Sequence, residues 1–225
     1  MSIRVSGVGK SAIALGLVLL VSLSAALAMS GRKIRIGDDP SIKKGSPQVV
    51  LVEVADFECP YCGQGARDVL PKVYEKYVDL GKVELVFVDF PLQMHPHAFR
   101  AAQAAACAGD QSQFWEMHHL LFANQRDLAA DRLSAYAAEL ALDVAAFDKC
   151  LASGRHDGEI REDIRLAQSL GITGTPAYLV GRRVAGGDKL EVLEVVKGLP
   201  PYEELEKLLD AQLAAQSAPP APKRR

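Results

Sequence analysis

The sequence has no charge excess of either sign: 28 acidic residues stand against 26 basic ones, a net charge of −2 in 225 residues. No general basic field recommends nucleic acid as a partner. Eighteen glycines and twelve prolines follow no short period, which excludes a collagen-like polymer, and no internal repeat is visible. There are four cysteines, too few for a small disulfide scaffold and spaced wrongly for two tandem zinc knuckles. The five histidines offer no H-x-x-x-H pair: His95 and His97 flank Pro96, and His118-His119 are adjacent. A metal role is not expected of them. His118 is placed at the edge of an apolar stripe formed by Phe114, Trp115, Leu121 and Phe122, read as core. What is present is ordinary: 49% hydrophobic and 24% charged residues, enough for a core and for one to two domains at about 150 residues each.

The first thirty residues differ from the rest. Arg4 and Lys10 make a basic opening, and no charged residue follows from Ser11 to Gly31. The run A-I-A-L-G-L-V-L-L-V begins at Ala12, and Ala26-Leu27-Ala28 has the small-residue spacing of a signal-peptidase site. Residues 1–28 are therefore expected to be a signal peptide or a membrane anchor; uncleaved, the run suffices for a bilayer span of about 20 residues. Arg32, Lys33 and Arg35 after it leave the charge bias weak. All four cysteines follow this segment, so a periplasmic or extracytoplasmic location is expected, where disulfides persist.

Beyond a polar lead-in with a short strand at Ile34 and Ile36, Gln48 to Ala55 reads as a buried strand. A helical pattern runs from Pro60 to Val78 and should be kinked by Pro71. Lys82 to Phe90 is a second buried strand, so the three elements form a parallel βαβ unit. Pro91 to Gly171 has helical spacing throughout, consistent with four or five helices. Ala177–Val180 and Arg183–Ala185 read as a hairpin turning at Gly181-Arg182, followed by helices at Leu190–Val196 and Tyr202–Leu213. Residues 214–225 read as a disordered tail. The fold class is α/β, one mixed sheet with helices inserted into it.

The chemistry concentrates at Cys59-Pro60-Tyr61-Cys62, directly after a buried strand and opening a helix. A helix N-terminus offers unpaired N–H groups and partial positive charge, which stabilise a thiolate at Cys59. Pro60 suits the first helical position. Cys62 lies one turn on, on the same face, able to close a disulfide with Cys59. Metal binding and a merely structural disulfide are the alternatives for a lone C-x-x-C; the flanking strand and helix favour redox chemistry. Glu53 is a charge inside the apolar strand: buried, it can exchange a proton with Cys62; at a sheet edge it would simply be solvated. Pro176 opens a strand after Gly171–Gly174, where a cis bond to Thr175 and an ordinary trans turn both fit.

Phe57-Glu58-Cys59-Pro60-Tyr61-Cys62, the helical block and Gly174-Thr175-Pro176 together resemble the DsbA-like family of thioredoxin-fold thiol:disulfide oxidoreductases. Cys107-Ala-Gly-Asp110, Phe114-Trp115-Glu116-Met117-His118 and Gly171-Ile-Thr-Gly-Thr-Pro176 look like stretches of its exported bacterial members. The resemblance covers residues 34–213 and implies a thioredoxin-like fold with a helical insertion at about 92–171. It implies that Cys59 attacks, that buried Cys62 resolves, that Pro176 is a cis-proline facing the disulfide, that Thr175 offers backbone hydrogen bonds to a bound peptide, and that Glu53 is the buried acid. It also implies a second disulfide, Cys107 with Cys150. Pro60-Tyr61 departs from the Pro-His of enteric members, which leaves the redox poise open. Expected partners are protein substrates with thiols or disulfides and a membrane redox partner, with no cofactor and a monomeric state. A reductase or isomerase kept reduced by a membrane donor uses the same pair in the other direction, although no dimerisation domain is visible. A non-catalytic peptide-binding module is opposed by the two intact cysteines. Cys-Pro-Tyr-Cys alone also fits a glutaredoxin, against which the leader and the insertion speak.

Overall fold

A computed structural model describes residues 31–36 and 39–217. The expected leader at residues 1–28 and most of the expected tail lie outside them. No helix among the described residues is long and apolar enough to cross a membrane.

The Val49–Ala55 segment, V-V-L-V-E-V-A, has four valines, no glycine or proline, and every residue buried. Such a run is stable only as a central strand covered on both faces. It is β3 of a six-stranded sheet, after β1 (Arg32–Arg35) and β2 (Ser41–Ile42). On one side it pairs in parallel with β4 (Val83–Asp89), on the other antiparallel with β5 (Ala177–Arg183). β6 (Lys189–Lys197) and β1 extend the sheet beyond β5, and the two-residue β2 closes the edge beyond β4, giving the order β1-β6-β5-β3-β4-β2.

The crossover from β3 to β4 is helical but broken. Helix α1 (Pro60–Asp68) ends at Val69, whose φ of −110° leaves the helical range. Pro71 sits in the first turn of the short α2 (Leu70–Val73), where its missing N–H costs no hydrogen bond. Tyr74–Val78 then forms a π-helical turn. Between β4 and β5 lie five helices: α3 (Ala98–Gly109), α4 (Phe114–Ala123), α5 (Ala130–Glu139), α6 (Val144–Ser153) and α7 (Asp157–Ser169). α8 (Tyr202–Ser217) ends the described chain.

Strand alternation sorts the core. Val50, Val52 and Val54 pack with Ala167, Leu170 and Ile172 on one face of the sheet. Val49 and Leu51 pack with Val73, Tyr77, Leu205 and Leu209 on the other. Glu53, two residues beyond Leu51, falls on this second face, with Phe87 of β4 and Tyr178 of β5 as its cross-strand neighbours.

Three expectations fail. Leu190–Val196 is strand, not helix: Leu190 and Val192 are buried while Lys189 is exposed and Glu191 and Leu193 are half-buried, an alternation of period two over the stretch that pairs with β1 and β5. The hairpin turns at Val184–Asp188 rather than at Gly181-Arg182. Gly186 and Gly187 supply φ of +105° and +85° there. Gly181 instead lies at an irregularity inside β5, where a Cβ would clash with the Glu191 carbonyl oxygen. The third failure is at the C-terminus, where Ala214–Ser217 continue α8 rather than beginning a disordered tail.

Cys107 on α3 and Cys150 on α6 are joined by a disulfide, with Cα atoms 5.9 Å apart and a sequence separation of 43. In the chain-entropy model a bridge of that span stabilises by about 4 kcal/mol. Replacing both by Ala is expected to lower the denaturation midpoint accordingly in non-reducing urea. An unchanged midpoint would show that the bridge does not hold the helical layer.

Candidate active site

Three elements meet at the Cys59–Cys62 pair. The end of β3 delivers Asp56, whose backbone carbonyl accepts the Cys59 N–H at 3.1 Å. Asp56 is buried and fixes the turn with its side chain: one carboxylate oxygen accepts the Glu58 N–H (2.7 Å), the other the Leu92 N–H (2.8 Å) and a bond with His95 Nδ1 (2.7 Å). Glu58 accepts the His97 N–H at 2.7 Å. The segment after β4 is thereby tied to the loop that carries the cysteines.

Cys59 is the N-cap of α1, with φ −71° and ψ 121°, and makes no side-chain capping bond. Its sulfur is therefore left to face the first-turn amides. Cys59 and Cys62 are free thiols, both buried, whereas Tyr61 between them is 64% exposed. Gln125, from the loop after α4, donates to the carbonyls of Phe57 (2.9 Å) and Cys59 (2.8 Å). From the opposite side comes the loop before β5, whose Thr175–Pro176 bond is cis. As a thiol, Cys59 Sγ donates to the Thr175 carbonyl at 3.4 Å.

As a thiolate, Cys59 can only accept. The Cys62 thiol is the main group holding its pKa down, at about 5; burial opposes, and the Thr175 side chain and the amides of Cys62 and Tyr61 add to the lowering. The Thr175 hydroxyl has no other partner. Cys62 is shifted the opposite way: burial first, then its bond to Cys59 and the charge on Cys59, push its pKa far above the ordinary thiol value. The opposed shifts favour one thiolate and one thiol at neutral pH.

Glu53 is fully buried in the middle of the sheet, not at a solvated edge. His118 is also fully buried, which corrects its placement at the edge of a stripe: its ring packs against Phe122 (4.8 Å), Phe87 (5.0 Å), Trp115 (5.1 Å) and Phe57 (5.7 Å), and Nε2 lies 3.6 Å from Glu53 Oε2. Cys59, Cys62, Thr175 and Pro176 are brought together; Cys107 and Cys150 belong to the helical layer. Asp110 and His156 surround that second disulfide closely enough to look like a metal site, but both sulfurs are in the bridge and Asp110 is engaged by Arg155 and His156. Sequence reasoning missed Gln125, Asp56 and His95.

Residues 38–211 match the family model described as Thioredoxin. The probable disulfide bond formation protein D of Bacillus anthracis is 30% identical over 184 residues, 77% of each chain. The Na(+)/H(+) antiporter NhaA 3 of Salinispora tropica is 44% identical over 147 residues, 64% of this chain but 22% of the antiporter, so the chain spans a small part of such relatives. Among solved structures, oxidised BdbD from Bacillus subtilis superposes with a TM-score of 0.69 at 24% identity, over 83% of this chain and 98% of that one. DsbA of Chlamydia trachomatis gives 0.66 at 18% identity, over 80% and 94%. With the sheet order, the helical insertion and the cysteine pair facing a cis-proline loop already in place, these matches show that the chain belongs to the thioredoxin family and shares its fold with the BdbD and DsbA structures.

Proposed function

We propose that the protein is an exported oxidant of protein thiols, handing the Cys59–Cys62 disulfide to substrates. The observation that carries this reading is the opposed pair of shifts: Cys59 held down to about 5, Cys62 pushed up. A stabilised Cys59 thiolate is a good leaving group and favours the reduced enzyme, so the oxidised form gives its disulfide away. A substrate thiolate attacks Cys59 Sγ and Cys62 leaves. The substrate's second thiolate then attacks the mixed disulfide, so the substrate ends oxidised and the dithiol enzyme departs. Thr175 and Pro176 hold an extended substrate segment beside Cys59, and Glu53 exchanges the Cys62 proton. A membrane redox partner reoxidises the pair. The uncharged stretch after Lys10 and the Cys107–Cys150 disulfide support a place outside the cytoplasm. The protein acts as a monomer.

The test is stoichiometric disulfide transfer from the oxidised protein to a reduced, unfolded substrate protein. Wild type is expected to transfer one disulfide per molecule and Cys59→Ser none; transfer by Cys59→Ser would overturn the assignment.

A further inference from the structure

Neither carboxylate oxygen of Glu53 has a hydrogen-bond partner, and neither ring nitrogen of His118 has one. Burying a charge or an unpaired polar group is costly, and a buried carboxylate is tolerated when it is neutralised or paired. The imidazole 3.6 Å away is the ion-pair partner that the described residues give Glu53. Whether the proton sits on carboxyl or imidazole, the two together need one proton to be free of net charge. The surrounding rings of Phe57, Phe87, Trp115 and Phe122 keep that proton out of water.

Tyr178, the cross-strand neighbour of Glu53, links the pair to the helix that carries Cys62. The Tyr178 hydroxyl, also buried and unpartnered, lies against α1, since a Cβ on Gly65 would meet it at 2.7 Å. Burial raises the Tyr178 pKa, and so do the charges on Glu53, Cys62 and Cys59. On the crossover side, burial and then Glu53 and Asp79 raise Tyr74, whose hydroxyl is likewise unpartnered. His119 on α4 is a further titratable neighbour, with its ring centre 5.2 Å from that of His118. Burial and then the charge on His118 lower the His119 pKa, and Glu116 opposes them.

We propose that His118 is the proton partner of Glu53, the two sharing one buried proton that passes to Cys62 as its sulfur leaves the disulfide and is recovered when Cys62 attacks. This rests on the redox reading above. In the attacking direction the Cys62 S–H proton goes to the Glu53–His118 pair. The Cys62 electron pair forms the bond to Cys59 Sγ. The bond from Cys59 to the substrate sulfur breaks, and the substrate leaves as a thiolate. The protein pair is oxidised and the substrate sulfur reduced. His118 acts through Glu53 and is a positioning residue.

The experiment loads Cys59 of the full chain with glutathione and follows its release by Cys62 against pH. His118→Phe, which continues the aromatic cage, is expected to slow release about tenfold or more at pH 7 and to flatten the pH profile. Its alkylation profile at Cys59 should stay that of wild type. The double variant Glu53→Gln with His118→Phe should be no slower than the slower single variant, because the two act as one unit. A wild-type pH profile in His118→Phe, or multiplicative losses in the double variant, would overturn the inference. Failure of wild type itself to release glutathione would instead overturn the redox reading. Should His118→Phe not fold, ring nitrogen NMR of His118 in the Glu53→Gln protein decides. A changed protonation or tautomer is expected, and unchanged shifts would overturn the pairing.

Discussion

Cys62→Ser is expected to trap its partners. Ser keeps a hydroxyl where the Cys62 thiol donates to Cys59, the largest of the effects that hold Cys59 at about 5. The variant should thus retain a thiolate near that value and still attack a disulfide, but it has no second sulfur with which to release the adduct. Glutathione disulfide should convert it wholly to a mixed disulfide, seen as a mass gain of one glutathione that a dithiol removes. Cys62→Ala separates the two jobs. It also traps, but with the donor gone the midpoint of Cys59 alkylation should rise by about one pH unit or more, since a hydrogen bond to a charged group is worth about 1.5–3 kcal/mol. Release from Cys62→Ser at the wild-type rate would show that another group resolves. An unmoved midpoint in Cys62→Ala would mean that the helix amides and Thr175 suffice.

The reduced protein should gain stability over the oxidised one as pH rises. Cys59 is ionised in the folded dithiol above about 5 and in the unfolded chain only above about 9. A depressed pKa stabilises the fold in full above the unfolded value and loses that contribution as pH falls through the folded one. The contribution should therefore be absent below pH 5, grow between 5 and 9, and be complete near 9. It should reach on the order of 2–3 kcal/mol once solvent screening of a sulfur at the N-terminal end of α1, beside exposed Tyr61, is allowed for. Above pH 9 the trend should reverse, because the unfolded chain ionises Cys62 while burial keeps it protonated in the fold. The oxidised form has neither thiol.

Taking the difference between redox forms removes an opposite slope common to both. Burial, with smaller contributions from nearby carboxylates, raises Asp89 to about 8 and Asp163 to about 9. Those two weaken the fold as pH climbs from about 4 towards those values. Parallel thermal melts of the two redox forms from pH 4 to 10 would settle the matter; a difference flat with pH would mean that Cys59 is an ordinary thiol.

The parts legible in the sequence were those whose cause is local. Valine-rich, largely apolar runs without glycine or proline mark β3 and β4 whatever lies around them, and a cysteine before Pro60 at a helix start carries its own electrostatics. β6 was not legible because L-E-V-L-E-V-V supports both periods: Leu190 and Leu193 share a helical face, while Leu190 and Val192 share a strand face. The choice is made by β1 and β5, distant in sequence, which need an antiparallel neighbour. The surroundings of the cysteines failed for the same reason. Gln125 reaches Cys59 across 66 positions and His95 reaches Asp56 across 39, so no window contains either bond. His118 was seen on the right helix but not at the right depth, because a stripe shows which way a helix faces and not what it faces. Opposite it stands Glu53, supplied by the sheet.

The central claim is that stabilisation of the Cys59 thiolate makes this pair an oxidant. The measurement that addresses it most directly is the reduction potential of Cys59–Cys62 in a glutathione redox buffer at pH 7. A potential more positive than about −180 mV, the value of protein disulfide isomerase, and towards the roughly −120 mV of DsbA is expected. A potential near that of thioredoxin, about −270 mV, would contradict the claim and make the protein a reductant fed with electrons by a donor.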